Sequence, residues 1–124
     1  MSAVQVKSFN TPDEQRTPPS TAVDVVSVDG HTIARFTFQP GWRWSQHVAP
    51  VVGTTRCQAL HVGAVQSGTM HIVAADGTES QVTVGDAYTI APGHDAWTVG
   101  DQPCVVVEFQ SGATYATPQQ PSRR

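Results

Sequence analysis

The chain has 124 residues, 39% of them hydrophobic and 14% charged, with a formal net charge of -3 at pH 7. A single domain of this size buries about two thirds of the surface its unfolded chain exposes, enough for one core. The mild acidity and the lack of a Lys/Arg run argue against a nucleic-acid partner, and no apolar run approaches the roughly 20 residues of a membrane helix.

Residues 1–20 read as an N-terminal arm. Thr11, Pro12, Asp13, Thr17, Pro18 and Pro19 break regular structure, with room for one helical turn at Pro12–Gln15 capped by Thr11. The arm shows no basic start followed by an apolar core, so no signal peptide is expected. Two cysteines without such a signal point to a reducing compartment, the cytoplasm, with a Cys57–Cys104 disulfide left open.

From residue 21 the chain alternates with a period of two. Ala22–Val28 is rich in β-branched residues, and Asp29-Gly30 is a hairpin signal. Thr32–Phe38 follows, then the Pro40-Gly41 break, then a strand over Trp42–Val48. Ala49–Thr55, with Pro50 and Gly53, reads as a loop. Arg56–Gln66 reads as one long strand. Thr69–Ala74, Gln81–Val84, Tyr88–Ile90, Ala96–Val99 and Cys104–Phe109 complete the series, separated by Gly-containing turns. About ten short strands and no helical period predict an all-β fold closed into a barrel, because closure removes exposed edges. The expected barrel domain is 21–112, with a loose tail over 113–124.

The stretch from Pro40 to Val107 holds four of the five histidines and both cysteines. The same stretch holds two Gly-bounded blocks, Gly41 to Gly68 and Gly85 to Gly93. This layout resembles the cupin family. Counting forward from Gly41, the first cupin motif places its first His on His47. Counting back from Gly68, it places its Glu on His61 and its second His on Cys57. In the second motif Gly85 and Gly93 match, Ala91 and Ala96 stand where Pro and His are usual, and His94 comes two residues early. The wording around Trp42, Trp44, Cys57, His61 and Pro92–Trp97 is similar to that of small single-domain bacterial cupins. The resemblance implies a double-stranded β-helix, or jelly-roll barrel, with metal-binding side chains on its inner wall.

Cys57 and His61, four apart, share one face of an extended segment, and His94 has the parity of Ala96. In cupins those faces line the barrel interior, and His47 ends the preceding strand at its mouth, so the resemblance makes His47, Cys57, His61 and His94 the expected metal ligands. Imidazoles plus a thiolate suit zinc, with iron, nickel, copper or manganese as alternatives. Asp95 and Tyr88 are the expected proton-transfer groups. Trp42, Trp44 and Trp97 are the expected walls of a small-molecule pocket. Each has a plainer reading: Cys57 as a small buried hydrophobe, His61 as a hydrogen-bonded core residue, His94 as a surface turn residue, the tryptophans as packing or dimer contacts. Three functions remain in play at this level: a metal-dependent isomerase, lyase, hydrolase or dioxygenase; a non-catalytic small-ligand sensor; and a metal-free structural barrel. Cupin-like domains often pair through their sheets, so a homodimer is expected.

Overall fold

The computed structural model describes residues 3–117. The two longest strands, β2 (Thr21–Val28) and β3 (His31–Phe38), are the ones whose alternation is cleanest. Asp29 and Gly30 join them with φ of 49° and 80°. Two consecutive positive φ values are what a tight hairpin between right-twisted strands needs, and Asp-Gly accepts them. Val23, Ala34, Phe36 and Phe38 turn inward.

The remaining strands are β1 (Glu14–Arg16), β4 (His61–Ser67), β5 (Thr69–Val73), β6 (Glu79–Thr83), β7 (Ala87–Ile90), β8 (Asp95–Val99) and β9 (Cys104–Phe109). They form two antiparallel sheets. The larger runs β1-β2-β3-β9-β4-β7, the smaller β6-β5-β8. Inward residues of both sheets, among them Val106, Met70, Ile72 and Ala96, meet in one core. This is the double-sheet architecture expected of a jelly roll. The edge strands β6 and β7 are not hydrogen-bonded to each other, so the sheets face one another without closing into a continuous barrel. No helix among the described residues is long and apolar enough to cross a membrane.

The segment after Gly41 departs from expectation. Residues 42–48 were predicted as a strand and 49–55 as a loop; two short helices form instead, α1 (Trp44–His47) and α2 (Ala49–Val52). Pro50 in the first turn of α2 and Gly53, at φ 85°, fit its two ends. The predicted strand from residue 56 begins only at His61. Cys57 makes an isolated bridge to His94, through Cys57 N–H to His94 O (2.9 Å) and Gly93 N–H to Cys57 O (2.7 Å).

The arm also differs. Glu14 and Gln15, half of the predicted helical turn, belong to strand β1 (Glu14–Arg16), laid along β2 of its own chain. The Asp13 carboxylate accepts Ser27 N–H (2.7 Å), and Gln15 Nε2 donates to Asp24 (2.6 Å). At the other end, β9 runs into a 3-10 turn, Ser111–Ala113. Beyond the expected boundary at residue 112, Tyr115 is buried. The rest of the expected tail, 118–124, lies outside the described residues.

Candidate metal centre

Three side chains converge between the sheets. The donor atoms of Cys57, His61 and His94 all lie within 4.8 Å of one another, and all three residues are buried. Cys57 Sγ and His61 Nε2 are 3.4 Å apart. The His61 and His94 rings meet edge to face at 4.9 Å.

Each imidazole has one nitrogen committed elsewhere. His94 Nδ1–H donates to the Ala91 carbonyl (2.7 Å), which can only accept. His61 Nδ1 stands 2.5 Å from Glu108 Oε1. A carboxylate also accepts, so Nδ1 carries the proton there as well. In both rings this leaves Nε2 as the nitrogen that can serve the cluster. Backbone and carboxylate partners fix metal-ligating histidines in the same way.

Glu108 is the hub that sequence reasoning left without chemistry. It is 3% exposed, and besides His61 it accepts Tyr88 O–H (2.6 Å) and Ser111 O–H (2.6 Å). Gly63 makes this possible. It pairs with Tyr88 on one side and Glu108 on the other, so the three form one row across β7, β4 and β9. A Cβ on Gly63 would stand 2.4 Å from Val107 O and 2.7 Å from Glu108 Cγ. A signal was present in the sequence: in Cys104–Phe109 the inward parity reads Cys104, Val106, Glu108, a carboxylate on a core face.

The electrostatics of the cluster follow from these contacts. Burial raises the Cys57 thiol, but hydrogen bonds from His61 and His94 outweigh it and bring the group down to about 6. Burial lowers His61, but hydrogen bonds to Cys57 and Glu108 outweigh it and bring the group up to about 10. Burial raises Glu108; its bond and charge interaction with His61 prevail and hold it below the ordinary carboxylate value. In the metal-free cluster these shifts all run toward a thiolate, an imidazolium and a carboxylate.

Of the other expected site residues, His47, Asp95 and Trp97 lie apart from the cluster, Tyr88 reaches it only through Glu108, and Trp42 and Trp44 line a space beside it. His47 ends α1, where its Nδ1 accepts the Arg43 N–H (3.0 Å); it is not part of the cluster. Asp95 is buried but turned to α1, accepting Ser45 N–H (2.9 Å), Ser45 O–H (2.8 Å), Arg43 Nε–H (3.1 Å) and Ala96 N–H (2.9 Å). Tyr88 donates to Glu108, and burial with the nearby carboxylate pushes its hydroxyl well up. Trp97 contacts neither the cluster nor its cavity; the Arg43 guanidinium lies 4.3 Å and the His71 ring 4.6 Å from its ring. Trp42 and Trp44 are in the core, and Trp42 stacks on Phe38 at 4.0 Å. Cys57 and Cys104 are both free thiols.

Two spaces adjoin the cluster. An inner cavity of about 20 Å³ touches His61, His94, Glu108, Trp42 and Trp44. An outer pocket of about 100 Å³ is lined by Cys57, Thr54, Gln58, Trp44 and Tyr115. Tyr115, which sequence reasoning placed in the tail, walls both. Its ring packs on Phe36 (4.7 Å) and His61 (5.7 Å), and Arg16 from β1 clamps the Tyr115 carbonyl (2.6 Å) and that of Gly112 (2.8 Å).

No family model matches the chain, and no curated protein matches it. Solved structures do. An oxalate oxidase is 21% identical with a TM-score of 0.56, covering 87% of this chain and 59% of its own. An oxalate decarboxylase from Lactobacillus farciminis is 14% identical with a TM-score of 0.55, covering 86% of this chain and 31% of its own. The chain thus spans less than two thirds of the length of these two proteins. A sugar phosphate isomerase of the cupin superfamily from Silicibacter pomeroyi is 13% identical with a TM-score of 0.60, covering 85% of this chain and 74% of its own. Likeness at these identities speaks to architecture, and it agrees with the two facing antiparallel sheets: the chain has the cupin jelly-roll fold.

Proposed function

We propose that the chain binds a divalent transition metal, zinc before iron, nickel, copper or manganese, through Cys57 Sγ and the Nε2 atoms of His61 and His94, and that a small organic molecule binds or reacts there. The observation that carries this reading is the convergence of the three donors within 4.8 Å, each imidazole having its Nδ1 already engaged. Bonds of roughly 2.0–2.3 Å to a tetrahedral ion set donors about 3.5 Å apart. The 3.4 Å between Cys57 and His61 meets that spacing. One thiolate and two imidazoles suit zinc and its neighbours rather than Mg²⁺ or Ca²⁺, which favour oxygen ligands. Three protein donors leave a coordination position open, and a bound ion supplies Lewis acidity there. The structurally similar proteins are named for oxalate and a sugar phosphate, which supports a small organic ligand.

Whether the ligand is turned over is a separate matter. Asp95 and Tyr88 are each held by other groups, and neither lines the inner cavity. That favours, as a second reading, a binding barrel that senses the ligand without transforming it. The proposal also takes the chain as a cytoplasmic homodimer; a monomer mass in light scattering would remove the dimer.

The test is elemental analysis of the purified protein. One transition metal per chain, lost in His61→Ala, His94→Ala and Cys57→Ser while the circular dichroism of the fold is retained, is the expected result. A folded wild-type protein that takes up no zinc, cobalt, iron, nickel, copper or manganese on reconstitution overturns the reading.

A further inference from the structure

The chain leaves β9 through Gln110 and folds back beside the cluster as a strap. The root of the strap is fixed. Gln110 N–H bonds to Thr32 O (2.8 Å), and Ser111 O–H donates to Glu108 (2.6 Å). Gly112 lies so near β3 that a Cβ on it would stand 2.4 Å from Ala34 Cβ. Beyond Gly112 the strap joins no sheet. The N–H groups of Thr114 and Tyr115 bond to Ser111 O, inside the strap itself (3.3 and 3.1 Å).

Two side chains hold this outer part down. The first is Arg16, carried by β1. Its Nη1 donates to Gly112 O (2.8 Å) and Tyr115 O (2.6 Å), its Nη2 to Ala113 O (2.9 Å), and its Nε to Glu14 (2.8 Å). A planar guanidinium fork suits three carbonyls in fixed places, and a lysine does not reproduce it. The second is Tyr115, whose ring meets Phe36, His61 and Phe38 at 4.7, 5.7 and 6.4 Å. Backbone strain sits at both ends of the strap. Gln110 at φ 72° and Ala116 at φ 59° hold left-handed values that non-glycine residues keep only under outside constraint.

The cluster behind the strap is nearly sealed: Cys57, His61 and His94 are 3, 4 and 3% exposed. Tyr115 is the strap residue that lines both the outer pocket, with Cys57, and the inner cavity, with His61 and His94. The inner cavity has room for about one water, so a larger entrant needs a wall to move. Other walls of the outer pocket are pinned by backbone: α1 through Ser45 N–H on Asp95, Cys57 through two bonds to Gly93 and His94. The strap is the wall tied by side chains.

We propose that residues 113–116 are a gate to the buried cluster, with Arg16 as its latch and Tyr115 as its plug, opening while both sheets stay folded. The proposal rests on the reading of the cluster as a binding site. It goes beyond that reading in naming the way in and the residue that controls it.

The experiment measures entry at Cys57. The metal-free full chain is treated with iodoacetamide in chelator, and peptide mapping follows Cys57 and Cys104 separately. Cys104, at 0% exposure in β9, reports global unfolding. In the wild type, alkylation should depend weakly on urea at Cys57 and steeply at Cys104, because the slope follows the surface exposed in the opening. The Tyr115 amide should exchange hydrogen with the same weak dependence. Arg16→Ala should alkylate at Cys57 about tenfold faster or more, the factor that one lost bond to a charged group already gives. Gly77→Ala, in the β5–β6 turn, should speed Cys104 and leave Cys57 at the wild-type rate. An unchanged Cys57 rate in Arg16→Ala overturns the proposal, as does an equal gain in Gly77→Ala. Should Arg16→Ala fail to fold, the wild-type slopes decide: one steep slope shared by Cys57, Cys104 and the Tyr115 amide rejects the gate. Zinc release into excess chelator should also quicken in Arg16→Ala at full starting content, and an unchanged release rate rejects it too. A wild type that takes up no zinc fails the metal reading alone, since the alkylation rates judge the strap without metal.

Discussion

Nδ1 of His61 on β4 and Oε1 of Glu108 on β9 stand 2.5 Å apart, and both side chains are almost fully buried. This pair ties the metal candidate to the sheet. A buried carboxylate is costly unless it is fully hydrogen-bonded, and Glu108 meets that condition with three donors. The arrangement is a carboxylate holding a histidine so that its far nitrogen faces the ligand position.

Glu108→Gln is therefore expected to weaken zinc affinity about 10- to 100-fold, the usual effect of losing such a partner. Glutamine keeps the shape but loses the charge that fixes the His61 proton on Nδ1. Stability of the metal-free variant should fall by about 1–3 kcal/mol, because Tyr88 and Ser111 lose a charged acceptor. Competition with a chromophoric chelator reads the affinity, and urea unfolding reads the stability. Equal affinity in wild type and variant would mean that the carboxylate does not orient the ring.

The metal-free protein should show a pH plateau in stability. His61 is raised from 6.5 to about 10, so its contribution is complete below pH 6.5 and is lost as pH rises through about 10. Cys57 is lowered from 9.0 to about 6, so its contribution is complete above pH 9.0 and is lost as pH falls through about 6. Together they give stability that rises from about pH 6 to 6.5, stays level to about 9.0 and declines toward 10. Urea midpoints in chelator across that interval check it. Cys57→Ala, which removes the thiolate, should abolish the rise below pH 6.5 and turn the plateau into a decline that starts near 6.5, because Glu108 still raises His61; an identical profile in the variant would rule out the ion pair.

What was legible in the sequence was whatever depends on neighbours along the chain. Alternation marked β2, β3 and β9, and Asp29-Gly30 marked their first turn, because strand faces and tight turns are local. Cys57 and His61 were legible because their distances from Gly68 match the family pattern; His94 misses its place in that pattern by two residues and was legible by its parity with Ala96. Residues 42–48 were misread because Trp42, Trp44 and Val48 fall at even spacing and mimic a strand. What turns Trp44–His47 into a helix is the Asp95 carboxylate on the Ser45 N–H, a contact spanning 50 positions. His47 was counted as a ligand from the misread strand; the helix turns it toward Arg43 instead. Tyr115 was hidden for a similar reason: a lone aromatic in a polar stretch becomes core only when Arg16 and Ser111 fold that stretch back.

Gly63→Ala should damage stability and the site together. The added methyl would collide with Val107 O and Glu108 Cγ, at 2.4 and 2.7 Å, so β4 and β9 must part or Glu108 must move. Overpacking of this kind costs about 1–3 kcal/mol. Zinc affinity should fall with it, since Glu108 holds His61. Gly77→Ala is the control. Its φ of 87° strains alanine by about 1–2 kcal/mol, but no atom lies within 4 Å of the new carbon, so metal affinity should stay unchanged. Equal zinc affinity in both variants would contradict the Tyr88–Gly63–Glu108 row as the support of the site.

Asp95 separates a structural role from a chemical one. Its oxygens face Ser45, Arg43 and its own neighbour Ala96, and it sits outside the cavity. It acts as the N-terminal cap that α1 does not find locally, since Arg43 at the cap position makes no side-chain bond there. Asp95→Ala should cost about 0.5–2 kcal/mol, as losses of helix caps do, and the part carried by the Ser45 hydroxyl is coupled to Ser45→Ala. In a double-mutant cycle, Ser45→Ala in the Asp95→Ala background should then cost far less than in the wild type. The Arg43 ion pair adds little, because that side chain is 47% exposed and solvent screens it. Zinc content should be full in every corner of the cycle. Additive losses with reduced zinc would instead place Asp95 in the metal site's support, against the geometry that turns it toward α1.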